Sequence, residues 1–475
     1  MKLLFLSLAC FANLALTAQI PTSTEYKKIA ETITPELGFI SEINYIQSKI
    51  NEKNISDTPQ LKSEPFAWGD FTWVQGNNRQ NTALLKSTYF TGGFTIDCNY
   101  NYNFNKPIDH TNSGSTATFR SNEFNISYIE TGGEFYEPKS GARAKLMLQF
   151  GTRATGIPRN DITPLRGQYD LHNAMRYVTD AYGGIHLNKM HGINIDFGLF
   201  KSYVGLLSYN NFENWNYQPS FTSDNTPWFF TGMRTQLFPT DKLKIELWLI
   251  NGWQTYAMFN EAPGMGFQLQ WRPWEFCSIL TSSYIGWDTP NNKDRMRFHN
   301  DNSIVIRYLN KPANKIFTKA AFSFTADVGF ENGGGVKPFN GDSILPAQNF
   351  ISGMLYNRFW LGSKQQWAIT MGGGYINNPG RYLALLPAGN GVLTQNPGDE
   401  FEGWDVSGNV QFMPNQFMTF GVEYVSRHAN VPYFSGPKGV TSPNGWNLPI
   451  GDPTGYTADL VKDETRIIFS TIFRF

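Results

Sequence analysis

The groups best equipped for chemistry in this 475-residue chain are six histidines, at 110, 172, 186, 191, 299 and 428, with carboxylates and hydroxyls between them. Their densest grouping is Phe298-His299-Asn300-Asp301-Asn302-Ser303, which sets a base, an orienting carboxylate and a hydroxyl at alternate positions. That trio is the raw material of nucleophilic hydrolysis, but hydrolysis needs base and nucleophile within hydrogen-bond reach. In an extended strand His299, Asp301 and Ser303 share one face at a spacing of about 7 Å, too far for direct contact. The sequence contains no nucleophile elbow, metal-binding helix motif or phosphate loop. Cys98 and Cys277 sit far apart in strand-like stretches and suggest neither a disulfide framework nor a zinc cluster. The residues therefore predict no enzyme, no catalytic or metal site and no cofactor.

The elements that carry these residues alternate with a period of two. In the carboxy-terminal stretch Ile467, Phe469, Thr471, Phe473 and Phe475 fall on one side, and Arg466, Ile468, Ser470, Ile472 and Arg474 on the other. An aromatic side opposed by a side with two arginines is how a strand reads between lipid and a watery lumen. Phe94 to Phe104, Arg143 to Phe150, Ile193 to Leu199, Lys242 to Leu249 and Phe322 to Glu331 repeat the pattern, and none has helical spacing. The connections come in two sizes. Seven are short, such as 137–140, 188–191, 239–241 and 362–364, and eight are long and rich in Gly, Asn and Pro, such as 203–227, 332–348, 377–402 and 429–461. Their alternation predicts an all-β, transmembrane antiparallel barrel of about sixteen strands (range 14–18), with short turns periplasmic and long loops external. A barrel of that size is wide enough for an aqueous channel.

Composition fits. Lys plus Arg and Asp plus Glu are 39 each, giving no argument for nucleic acid as a partner. Aromatics reach 15% with 44 glycines, while mean hydropathy is −0.36, as expected when half of the strand residues meet water. Lys2, the apolar run from Leu3 to Leu16 and Thr17-Ala18-Gln19 form an export signal, residues 1–18, with cleavage after Ala18. Cys10 is a weaker alternative as a lipoprotein site, because the apolar stretch before it is short. Residues 19–86 break the strand rhythm and predict a periplasmic or lumenal extension. Within it, Thr34-Pro35-Glu36 starts a short helix over 35–51, and Pro65 to Trp73 reads as strand-like. The barrel is then 87–475.

From about Phe66 onward the chain resembles the OmpL-like beta-barrel porins of Bacteroidetes-type bacteria. The matching pieces include Gly69-Asp70-Phe71-Thr72-Trp73, Pro158-Arg159-Asn160-Asp161, Ser202-Tyr203-Val204-Gly205-Leu206, Glu213-Asn214-Trp215, Trp228-Phe229-Phe230-Thr231-Gly232, Asn251-Gly252-Trp253-Gln254 and Asn378-Pro379-Gly380-Arg381-Tyr382. The resemblance implies an outer-membrane pore of a Gram-negative bacterium, passing small hydrophilic solutes by diffusion. It supplies no catalytic signature. A structural or adhesive barrel is the alternative reading, and an outer-membrane hydrolase a more distant one.

A wide barrel needs something besides its wall to set a size limit. The expected constriction is the loop 203–227, through Glu213, Asn214, Trp215 and Tyr217. Trp215, Tyr217 and Trp253 are the rings suited to stacking on sugars. Alternation places the charges of Arg143, Lys145, Asp196, Lys242, Lys244, Glu246, Asp327, Glu331, Glu423, Arg466 and Arg474 on the lumen side. Phe475 is the expected signal to the barrel-assembly machinery. The remaining partners are outer-membrane lipid and further copies of the chain in a homo-trimer.

Overall fold

The computed structural model describes residues 64–158, 161, 163, 169–341, 346–383, 400–441 and 457–475. The export signal, its cleavage site, Cys10 and the helix expected over 35–51 lie outside these residues. Fifteen strands follow in order: β1 Phe90–Asn103, β2 Phe124–Tyr136, β3 Ala142–Phe150, β4 Val178–Leu187, β5 Ile193–Lys201, β6 Phe229–Thr240, β7 Leu243–Ile250, β8 Gly264–Trp274, β9 Cys277–Gly286, β10 Met296–Asn310, β11 Phe317–Asn332, β12 Asn349–Leu361, β13 Trp367–Asn377, β14 Glu402–Asn415 and β15 Met418–Ala429. A two-residue pair, β16 Phe434–Ser435 with β17 Leu460–Val461, folds within the next loop, and β18 Asp463–Arg474 completes the chain. Each barrel strand pairs antiparallel with its chain neighbour, β18 takes the place after β15, and β1 pairs with β18 to close sixteen strands into a ring.

The alternation in the sequence is the alternation of the wall. In β18 Arg466, Ile468, Ser470 and Ile472 are buried, whereas Phe469 is 51% exposed on the outside. In β11 Ser323, Thr325, Asp327 and Glu331 are buried and Phe324 and Val328 are exposed. Closure pairs each wall strand on both sides and leaves no free edge, which lipid demands of a sheet. The short turns are held by their own side chains: the Glu137 carboxylate accepts from the Lys139 and Ser140 amides at 3.1 and 2.6 Å, and Asn415 Oδ1 accepts from Phe417 N at 2.8 Å.

At two inward positions the wall is bare so that rings can dock. A Cβ on Gly266 would lie 2.0 Å from the Tyr203 hydroxyl, and one on Gly329 2.5 Å from the Tyr382 ring. Those rings donate their hydroxyls to the carbonyls of Ser283 (3.0 Å) and Phe298 (2.7 Å). Among the described residues three short α-helices lie in the long connections: α1 Arg153–Gly156, α2 Leu171–Met175 and α3 Phe221–Asn225.

Residues 64–83 correct one expectation. Pro65 to Trp73 forms turns rather than a strand. The Asp70 carboxylate accepts from Thr72 N at 3.0 Å, an Asx turn that bends the chain where a strand would extend. The aromatic residues that suggested a strand, Phe71 and Trp73, are buried against inward residues of β10 to β14, including Val305, Ala321, Met354 and Trp360.

Candidate pore constriction

The loop joining β5 to β6 does not stay on its own side of the ring. Tyr203 starts it by stacking on Trp248, 4.7 Å between centroids. Arg153 of α1, fully buried, then donates to the Tyr209 carbonyl and to Asn211 Oδ1. Beyond these points the loop meets the far wall. The Trp215 carbonyl accepts from Arg358 (3.1 Å) on β12 and Asn409 (2.7 Å) on β14. Glu423 on β15 accepts from the Tyr217 and Gln218 amides at 2.6 and 2.9 Å. Arg427 donates to the Pro219 carbonyl at 2.7 Å, Arg466 to Gln218 Oε1 at 3.0 Å, and the Tyr217 hydroxyl to Asp97 on β1 at 2.6 Å. In the ring β13 lies eight strands from β5, so the loop spans the full diameter of the barrel. Charge-assisted bonds of this kind contribute about 1.5–3 kcal/mol each. Removing one partner would leave a buried charge bare.

A second strap runs at the short-turn end. Phe66 N donates to the Asp241 carbonyl in the β6–β7 turn, and the Arg272 guanidinium of β8 lies 4.5 and 4.6 Å from the Phe66 and Phe71 rings. Lys319 pairs with Asp70 at 3.2 Å. Across the mouth, Arg79 donates to the carbonyls of Asn415 and Met418, and Arg474 donates to Asn78 at 2.6 Å. The strap is stitched to the loop: Trp215 N donates to Gln75 at 2.7 Å, Trp215 Nε1 to the Trp73 carbonyl at 3.1 Å, and Gly76 N to the Glu213 carbonyl.

Glu213, Asn214, Trp215 and Tyr217 are thus brought together inside the barrel, while Trp253 is not among them. It packs in the β7–β8 connection beside Tyr284, His299 and Tyr382. Burial leaves two of the three rings expected to stack on sugars, Trp215 and Tyr217, without an open face. Trp215 and Tyr217 are each 3% exposed, with Trp215 wedged against Trp360 and the Tyr217 hydroxyl held by Asp97 and Asn99, so neither offers a free ring face. Asn214 Oδ1 instead accepts from Ser208 N at 2.8 Å, within the loop. Burial raises the pKa of the Glu213 carboxyl, opposed by the Ser208 hydroxyl donating to it at 2.5 Å and by the charge of Arg474.

The wall charges form pairs rather than an open lining. Arg143 and Arg234 share Asp196 (3.3 and 2.7 Å), Lys145 reaches Glu134 and Asp180 (3.3 and 3.4 Å), Lys244 meets Glu246 (2.8 Å), and Arg297 meets Glu331 (2.6 Å). Lys242 sits over the Trp68 ring at 4.3 Å, under the strap. Asp327 stands directly opposite Asp301 in the β10–β11 register. Arg234, Asp180, Arg358 and Arg427 were missed as site residues. Each stands at an inward position of its strand, which alternation alone would have shown. His299 is buried parallel to the Phe350 ring at 5.3 Å, while Ser303 bonds Asp301 (3.2 Å) and Thr325 (2.9 Å), so the three are not assembled for catalysis. Among the described residues both cysteines are free and no metal-holding cluster of His, Cys, Asp or Glu occurs.

The family model described as "Putative beta-barrel porin-2, OmpL-like" matches residues 89–475. The chain belongs to this family. It is an outer-membrane porin, and its matched region spans the whole ring. Among solved structures, the anion-selective porin of Comamonas acidovorans is 9% identical with a TM-score of 0.47, covering 81% of this chain and 99% of its own. Pseudomonas putida OprB is 10% identical at 0.47, covering 82% and 94%, and Vibrio cholerae OmpT 10% identical at 0.46, covering 83% and 100%. Comparison with curated proteins found no match.

Among the described residues, loop and strap border two sizeable cavities on opposite sides of Glu213. One, about 410 Å³, lies toward β11–β15 and is lined by Arg79, Arg358 and Gln411 among others. The other, about 420 Å³, lies toward β1–β5 beside Glu130, Lys145 and Lys201. Glu213 and Asn81 line both.

Proposed function

We propose that this porin passes small hydrophilic solutes by passive diffusion, and that residues 203–227 and 64–83 together set its size limit. The observation that carries the reading is the attachment of the loop, through Trp215, Tyr217 and Gln218, to β12 and β15, seven and six strands round the ring from β5. Solutes then meet amides and paired charges rather than free aromatic faces. Purified protein in planar bilayers and in swelling liposomes tests this: discrete conductance steps with entry of small sugars support it, and their absence from folded protein would point to a structural barrel.

The proposal puts the short turns in the periplasm and the long loops outside. In a Cys98→Ala, Cys277→Ala background, Ser363→Cys should resist an impermeant thiol reagent on whole cells while Lys293→Cys labels; the reverse pattern inverts the orientation. Removal of residues 1–18 is part of the same reading, and sequencing of the mature protein should begin at Gln19. A homo-trimer belongs to it as well. The outer wall carries a concave apolar groove of about 720 Å³ beside Tyr100, Phe124, Phe412 and Phe469, a shape that a neighbouring barrel would fill. Native mass spectrometry from detergent should then report three copies.

A further inference from the structure

We infer that the cavity between the strap and β11–β15 is a binding site for a small organic carboxylate bearing hydroxyls, of the size of a sugar acid. The inference rests on the porin reading above and names a solute for it.

Arg358 is 4% exposed, yet among the described residues no carboxylate pairs with it. Its terminal nitrogens donate to the Trp215 carbonyl, Thr370 Oγ1 (3.0 Å) and Gln411 Oε1 (2.7 Å), and its Nε has no partner. Arg79, which enters the same cavity from the strap, finds only the carbonyls of Asn415 and Met418 and the Thr419 hydroxyl. Two guanidiniums on one cavity are therefore satisfied only by neutral acceptors. Elsewhere on the wall Arg143, Arg234, Arg295 and Arg297 each hold a carboxylate, whereas Arg272 is covered by the Phe66 and Phe71 rings and donates to Asn77. A buried positive charge without a counter-charge is costly, and an oxyanion in the cavity lowers that cost.

The rest of the lining selects the body of the anion. Lys364 adds a third positive group at the β12–β13 turn, Lys319 is already occupied by Asp70, and Glu213 is the carboxylate on the lining. Burial raises the pKa of Glu213, so its opposition to an anion weakens at a higher pH than that of an exposed carboxylate. Amides of Gln366, Gln411 and Gln416 offer both donors and acceptors to hydroxyls. A volume of about 410 Å³ exceeds the needs of a bare inorganic ion and lies in the range of small-molecule sites.

Trp73, Trp215 and Trp360 border the cavity, so intrinsic fluorescence of the detergent-solubilised full chain can report occupancy. Glucuronate should give a saturable change, and glucose none. Binding should weaken about tenfold or more in Arg79→Gln and in Arg358→Gln, the loss expected for one charge-assisted hydrogen bond, and stay unchanged in Lys311→Gln. Arg358 also holds the loop, so its variant risks misfolding. Arg79→Gln touches only the strap and the β14–β15 turn, and keeps the test decisive. The inference is overturned by an equal response to glucose, by unchanged binding in folded Arg79→Gln, by no saturable response to glucuronate, or by saturation with inorganic phosphate alone. Conductance of the same preparation separates the two readings, because a conducting channel without a glucuronate response loses the anion site and keeps the pore.

Discussion

Glu213 shows how a single side chain can be legible in kind and illegible in strength. Its place in a polar loop marks it as a charge of the passage, yet burial raises its pKa above the ordinary 4.5. Where pH is high enough to ionise the wild-type carboxylate, Glu213→Gln should shift the reversal potential toward anions. A raised pKa means that the wild-type group is neutralised before an unburied carboxylate would be. The difference between the two proteins should therefore be lost at a higher pH than for an exposed carboxylate; a loss centred at 4.5 or below would place Glu213 in open water. The wall makes the same point at Asp327. Alternation puts it inside, but only the register shows that Asp301 stands directly across. Like charges opposite each other in an antiparallel pair are destabilising, and an asparagine could donate to the remaining carboxylate. Asp327→Asn should stabilise the barrel by about 1 kcal/mol, raising the temperature at which the compact gel form is lost. A lower temperature would mean that Asp327 makes a contact worth more than the repulsion. Period-two patterning tells which face a residue takes, whereas its partner depends on register and on loops arriving from elsewhere.

At the scale of elements, the wall strands were readable because each repeats one rule over eight residues or more, as β7 does from Leu243 to Ile250. The strap was not. Phe66, Trp68, Phe71 and Trp73 have the composition of a strand, and what bends them is the Asp70 carboxylate on Thr72 together with docking on β8 and β11, contacts far away in sequence. The loop 203–227 stood out by its length and its Asn, Trp and Tyr content, but its destination on β12–β15 could not be read from either. That destination shapes the prediction for its removal. Shortening the stretch between Leu207 and Asp224 strips partners from Arg358, Glu423 and Arg427, yet these face a lumen that water can then fill, so the ring should still close. Single-channel conductance should rise and larger neutral sugars should enter liposomes. A folded, shortened protein with the parent's conductance and size limit would make the strap alone the constriction.

The whole molecule depends on a seam between its first and last strands. β1 and β18 are the most distant pair in sequence, so their ladder closes the longest loop and is expected late in folding. Phe475 sits at that seam: its amide donates to the Phe94 carbonyl at 2.7 Å and its carbonyl accepts from Phe94 N at 3.0 Å, with its ring near Phe94 and Phe417. Two effects of deleting it can be separated. Lost contacts amount to two net backbone hydrogen bonds of about 1 kcal/mol each and part of an aromatic cluster, against a ladder that runs from Thr95 to Asn103. That loss alone would leave the yield nearly intact. If the terminal aromatic is also what the assembly machinery reads, the folded fraction in outer membranes should fall severalfold, while the channels that do form keep their conductance. Refolding the purified deletion variant into detergent removes the machinery and should restore the folded fraction, as heat-modifiable gel mobility would report. Equal losses in cells and in detergent would make Phe475 a structural clasp of the seam, and no loss in either would free the terminus from both roles.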